Sequence, residues 1–156
     1  MFKTKSDAAE YARGHTAIFD KIWNPETQWT EDFLEENRAK DVQYVLQGQT
    51  CNGIKGMLKQ WTPKRGVFVQ HKTLGVDIET FTENMVAFKH YRVFKTFENR
   101  ELFIVNRGIL NVNIEGKVEQ EVYFMDQKYW DAMKGVMGAF AEKNGNENWI
   151  KEYLID

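Results

Sequence analysis

The reading of the fold turns on one stretch, Leu102-Phe103-Ile104-Val105-Asn106-Arg107-Gly108-Ile109-Leu110-Asn111-Val112-Asn113-Ile114, then Glu115-Gly116-Lys117, then Val118-Glu119-Gln120-Glu121-Val122-Tyr123-Phe124-Met125. β-Branched and aromatic residues dominate both arms, as strands require, and Gly116 marks a tight turn between them. Arms joined by so short a loop must be antiparallel neighbours. Directly after the second arm, Asp126 opens a long helical pattern with Tyr129, Met133, Val136, Met137 and Phe140 along one stripe. Asn144-Gly145-Asn146 ends it, and Trp149, Ile150, Tyr153 and Leu154 suggest a short terminal turn packing back.

Working outward toward the N-terminus, strand chemistry continues. Met85 to Phe97 meets Leu102 across the turn at Glu98-Asn99-Arg100, and His71 to Phe81 meets Met85 across Thr82-Glu83-Asn84. Before these, Asn52 to Trp61 reads as a helix with Ile54, Met57, Leu58 and Trp61 on one side, ended by Pro63 and Gly66. Val42 to Leu46 is a first strand closed by Gly48, and Thr30 caps a short helix with Glu31 and Asp32 in its first turn. Asp7-Ala8-Ala9-Glu10 has capping-box spacing. After it, Ala8, Ala12, His15, Phe19 and Ile22 form the stripe of a first helix, widened by Tyr11, Ile18 and Trp23 and stopped by Asn24-Pro25.

Helices followed by a long meander predict an α+β domain. The expected architecture is a cone: N-terminal helices packed on a curved antiparallel sheet, as one domain over residues 1–156. Long strands twist and curl, so a hollow can remain between sheet and helix. With 42% hydrophobic and 28% charged residues the chain is globular rather than disordered, and its 14% aromatic share suits both a core and the walls of an apolar pocket.

Scattered Lys and Arg with a net charge of −2 argue against a nucleic-acid partner. No apolar run approaches a membrane span, and the N-terminus lacks the apolar core of a signal peptide. The lone Cys51 excludes an intrachain disulfide framework, and a cytoplasmic location is expected. Three widely spaced His residues form no metal signature, and the isolated Gly residues form no phosphate-cradling loop, so neither metal nor cofactor is implied.

Gly116-Lys117-Val118-Glu119-Gln120-Glu121, with Phe124-Met125-Asp126 at the strand's end, resembles the final strand of the NTF2-like superfamily and of its SnoaL-like, polyketide-cyclase-related group. That strand reads Gly-Lys-Ile, then a Glu, then an Asp before the last helix. Asp41-Val42 and Gly53-Ile54 resemble further family positions, and the order of elements matches over nearly the whole chain. The resemblance implies the cone fold, an apolar small-molecule ligand such as a cyclic one, and Asp126 as an acid/base candidate. In the related ketosteroid isomerases the catalytic Asp lies five residues after the Asp-Ala of the first strand, where this chain has Leu46.

Pairing the strands by their turns proposes a site. Val112 opposite Gln120 places Leu110 opposite Val122, Gly108 opposite Phe124 and Asn106 opposite Asp126. Phe94 opposite Ile104 places Arg92 opposite Asn106 and His90 opposite Gly108. One face then carries Val86, Phe88, Phe94, Leu110, Val112, Val122 and Phe124, interrupted by His90, Arg92, Asn106 and Asp126. His15, Tyr11 and Phe19 would roof it from the first helix. Asp126 or His90 would be the general acid/base, and Arg92 and Asn106 would orient an oxygen.

Each residue also has a structural reading. Asp126 can simply cap its helix, His15 can be a satisfied core residue, and Arg92 buried in a strand needs a counter-charge, for which Asp126 is the candidate. His71, Glu119 and Glu121 read as solvated, and Asp77 could oppose His90 across a two-residue turn. The opposite sheet face, Tyr91, Val93, Phe103, Val105, Arg107, Ile109 and Tyr123, is apolar enough for a homodimer interface. Three functions follow: a SnoaL-like enzyme, a ligand- or protein-binding module without chemistry, and water activation by Arg92 with Asp126, which would lack a second carboxylate.

Overall fold

The computed structural model of the protein describes residues 1–149. Helix α1 (Lys5–Ile22) and the short α2 (Glu31–Glu35) precede strands β1 (Arg38–Leu46) and β2 (Gln49–Asn52). Helix α3 (Gly53–Trp61) runs into a 3-10 turn, Thr62–Lys64. The meander β3 (Phe68–Phe81), β4 (Met85–Thr96), β5 (Glu101–Val112) and β6 (Val118–Met125) leads to α4 (Gln127–Lys143). Among the described residues no helix is long and apolar enough to cross a membrane.

The six strands form one curved, unclosed sheet in the order β2-β1-β6-β5-β4-β3. It is mixed rather than wholly antiparallel, because β1 returns alongside β6 in parallel. The short β2, which the sequence reading leaves out, is a hairpin arm on β1 turned by Gln47 and Gly48, both at positive φ. Bulges bend the sheet: β3 slips against β4 after Phe68, Thr73 and Ile78. These slips put Val76, not Asp77, opposite His90.

The cap of α1 is Thr4 rather than Asp7. Thr4 accepts from the Asp7 amide while the Asp7 carboxylate accepts from the Thr4 amide, a capping box one turn earlier than expected. Its buried stripe is the predicted one, Ala8, Ala12, His15, Phe19 and Ile22, and it packs across the inner face of the sheet. Trp149 is buried and donates its indole N–H to the Gln60 carbonyl at 3.2 Å; Ile150, Tyr153 and Leu154 lie outside the described residues.

Two turns decide the inner face. Across the Asn99 turn Phe94 pairs with Leu102 rather than Ile104. This two-residue slip keeps every side chain on its expected face, so His90, Arg92, Asn106 and Leu110 all point inward. The Gly116 hairpin behaves differently. Val112 pairs with Val118, but Asn111 pairs with Gln120, so Glu119 is an extra residue on β6. From there β6 is rotated by one position: Glu121 and Tyr123 face inward, and Phe124, expected inside, is 41% exposed on the outer face.

Candidate functional site

Alternation along β4 aims His90, Arg92 and Phe94 into the cone, and all three are buried. Arg92 donates from Nε to His71 Nε2 at 2.8 Å and from Nη1 to Asn106 Oδ1 at 3.1 Å. Its guanidinium carbon lies 4.7 Å over the Phe19 ring and 4.6 Å over that of Phe94. An arginine sandwiched between two rings keeps its charge with little water. Burial still pulls its pKa down, to about 10.

Because Arg92 can only donate, both neighbours are oriented by it. His71 must accept at Nε2, so its proton sits on Nδ1 and is given to Asp20 Oδ1 at 2.6 Å. Asn106 must turn its oxygen to Arg92, which leaves its Nδ2 buried with no partner. His71, read from sequence as solvated, is thus a buried link in an Asp20–His71–Arg92–Asn106 chain. His90 pairs through Nε2 with Thr73 Oγ1 at 2.8 Å, and its Nδ1 is buried and unpartnered.

A second buried network sits beside the first. Arg38 grips Glu121 with both Nε and Nη2, the latter at 3.0 Å. Burial works against the Glu121 carboxylate, but Arg38 and then His15 outweigh it and hold the pKa down at about 2. His15 Nε2 bonds the Tyr123 hydroxyl at 3.0 Å and lies 3.8 Å from Glu121. Phe19 joins the two networks, with its ring within about 6 Å of those of His15, His71, His90 and Tyr123. Sequence reading treats Glu121 as solvated because its partner, Arg38, is remote in sequence.

Between these networks and α4 lies a cavity of about 40 Å³, lined by Phe19, Trp23, Tyr44, Trp61, Lys64, Arg92, Asn106, Tyr123 and three methionines, among others. Arg92, Asn106 and Phe19 therefore meet at one cavity. The other candidates do not line it, and Asp126 and Phe124 instead border, with Asn106, a separate hollow of about 210 Å³ on the outer side of the sheet. Asp126 is exposed and holds the N-cap position of α4 without a side-chain capping bond, so it is not the counter-charge of Arg92. The extra residue in β6 carries it past Asn106, which pairs with Met125 instead. Phe124 faces outward for the same reason. Phe88 is fully buried in the core under Gly108, where a Cβ would meet its ring at 2.5 Å. Tyr11 donates to the Gly116 carbonyl at 3.0 Å and ties α1 to the β5–β6 turn, away from the cavity. His90 and His15 are buried beside the cavity without lining it. Among the described residues no cluster of three His, Cys, Asp or Glu is arranged to hold a metal.

Neither a protein-family model nor a curated protein matches the chain. Solved structures do. A protein assigned as a SnoaL-like polyketide cyclase from a Jannaschia species superposes with a TM-score of 0.60 at 14% identity, over 88% of this chain and 96% of that one. An NTF2-like protein from Anabaena variabilis gives 0.62 at 13% identity, over 81% and 96%. TerC, co-crystallised with polyporic acid, gives 0.62 at 12% identity, over 83% and 97%. At such identities the likeness speaks for architecture, and the chain has the α+β NTF2-like fold.

Proposed function

We propose that the chain binds a cyclic, largely apolar small molecule in the cone and holds one of its oxygens against Arg92 and Asn106. The observation that carries this is Asn106 Nδ2: a buried donor at the cavity, oriented by Arg92 and left without a partner. Unpaired buried donors are costly, and a ligand oxygen would satisfy this one. The rest of the wall is aromatic rings and thioethers, the composition of a pocket for an apolar ring. TerC, built on the same fold, was co-crystallised with a small molecule, which supports the reading.

A guanidinium and an amide N–H aimed at one oxygen would stabilise negative charge developing on it, as in the enolisation of a ketone. Neither Asp126 nor His90 lines this cavity. A second reading, a binding module without chemistry, is favoured because no carboxylate lines the cavity among the described residues.

A thermal-shift screen of bicyclic ketones and phenols tests the site. Hits should raise the melting temperature of the wild type and lose about tenfold or more in affinity in Asn106→Leu and Arg92→Met. Hits that bind both variants as well as wild type would reject it. Deuterium exchange at the α-carbon of a bound ketone, followed by NMR, separates enzyme from module.

A further inference from the structure

The cavity has a second cation, which the reading above leaves unused. Lys64 ends the 3-10 turn after Pro63 and is 5% exposed. Its ammonium stands 5.9 Å over the Trp149 ring, and among the described residues it pairs with no carboxylate and makes no hydrogen bond. Burial of most of the side chain disfavours its charged form and pulls its pKa down to about 8, although Nζ itself keeps some contact with solvent. Cys51, whose thiolate would offset this, is a buried thiol with its own pKa pushed up.

Arg92 stands on the wall of the same cavity, and its polar partners are a neutral imidazole and an amide oxygen. Tyr44 and Tyr123 also line it; burial raises both pKa values, so both stay protonated, and the Tyr123 hydroxyl is taken by His15. Among the described residues the wall thus offers two cations and an unpaired amide donor but no Asp or Glu. Its positive charge exceeds its negative charge there, and an anionic guest would balance it.

We infer that the guest is a ring-bearing monoanion, a carboxylate or phenolate whose oxygen is held by Arg92 and Asn106 and whose charge is shared with Lys64. This rests on the cavity reading above and names its ligand class. The present volume has room for a water or two. A ring enters by displacing Met133 and Met137 of α4, whose flexible thioethers repack readily.

Titrating the full chain with 1-naphthoate and with its neutral isostere 1-naphthamide by isothermal calorimetry decides the matter. Naphthoate should bind about tenfold or more tightly than naphthamide. Lys64→Met should remove most of that preference, with naphthoate losing far more affinity than naphthamide, and Lys64→Arg should restore it. A circular dichroism melt confirms that each variant is folded, and Lys64→Met should melt no lower than wild type because it removes an unpaired charge. Equal binding of the two probes, or naphthoate binding untouched in Lys64→Met, overturns the anion inference and leaves the cavity reading standing. Binding of neither probe overturns both.

Discussion

Arg92 Nε and His71 Nε2 lie 2.8 Å apart, and because a guanidinium only donates, this bond requires His71 Nε2 to be unprotonated. Protonating His71 would set two cations against each other in a buried site, so its pKa is held down at about 2, by burial first and Arg92 second. His90 and His15 are also shifted downward, each mainly by burial. All three are buried.

The chain should therefore be acid-labile well above the carboxylate range. Each histidine is neutral when folded but takes a proton when unfolded below its ordinary pKa of 6.5. Their contribution is thus fully present above pH 6.5 and lost as the pH falls below it. One proton of difference is worth about 1.4 kcal/mol per pH unit, so His71 and His90 together give a slope of roughly 3 kcal/mol per unit near pH 5, and His15, shifted the same way, adds to it. Urea unfolding between pH 7 and 5 measures it. His90→Gln should make the slope about 1.4 kcal/mol per unit shallower; a stability flat over this range would mean that the histidines are not buried neutral.

The outer sheet face leads to a second prediction, that the chain is a homodimer. Phe103 and Phe124 are 45% and 41% exposed there, beside half-buried Tyr91 and Val105. Tyr123 is no longer part of this face, and Phe124 takes its place through the extra residue in β6. Light scattering at micromolar concentration should give twice the chain mass, and Phe124→Glu should halve it. A monomeric mass for the wild type rejects the interface.

The sequence made the order of elements legible, because alternation along β4 and the four-and-three spacing along α1 are local patterns that the structure keeps. Arg92, Asn106 and Phe19 were legible for the same reason: their face depends only on the parity of β4 and β5 and on the α1 stripe. The parity of β6 was not. Glu119 has nothing in its local sequence that marks it as the extra residue of a bulge, yet it moves Asp126 and Phe124 off the inner face and Glu121 and Tyr123 onto it. Buried ionisable groups were hidden for a related reason. Glu121, His71 and Lys64 each look like ordinary surface residues until the elements that enclose them, β1, α1 and the Trp149 segment, are folded against them. An odd cation after Pro63 and an acidic residue inside an apolar strand were the available signals.

Arg38 and Glu121 provide the last prediction. Both are buried, at 2% and 0% exposure, and two N–H groups of Arg38 meet the two carboxylate oxygens. Removing one partner leaves the other charged and dry, so Arg38→Met should cost roughly 3–5 kcal/mol at pH 7. The double change Arg38→Met with Glu121→Leu removes both charges and should regain most of that loss, because well-packed apolar residues often replace a buried pair at little cost. The pH dependence gives an independent check. In the wild type the Glu121 pKa is lowered to about 2, so its contribution is present above 4.5 and lost as the pH falls toward 2. Without Arg38 burial dominates and raises that pKa above 4.5. Folded Arg38→Met then binds a proton that its unfolded chain does not, so its deficit against wild type should shrink as the pH falls from 7 to 5. Denaturant titrations of the single and double variants at those two pH values test this. A deficit independent of pH, or a double variant no more stable than Arg38→Met, would mean that Arg38 acts through packing against Trp61 rather than through the charge of Glu121.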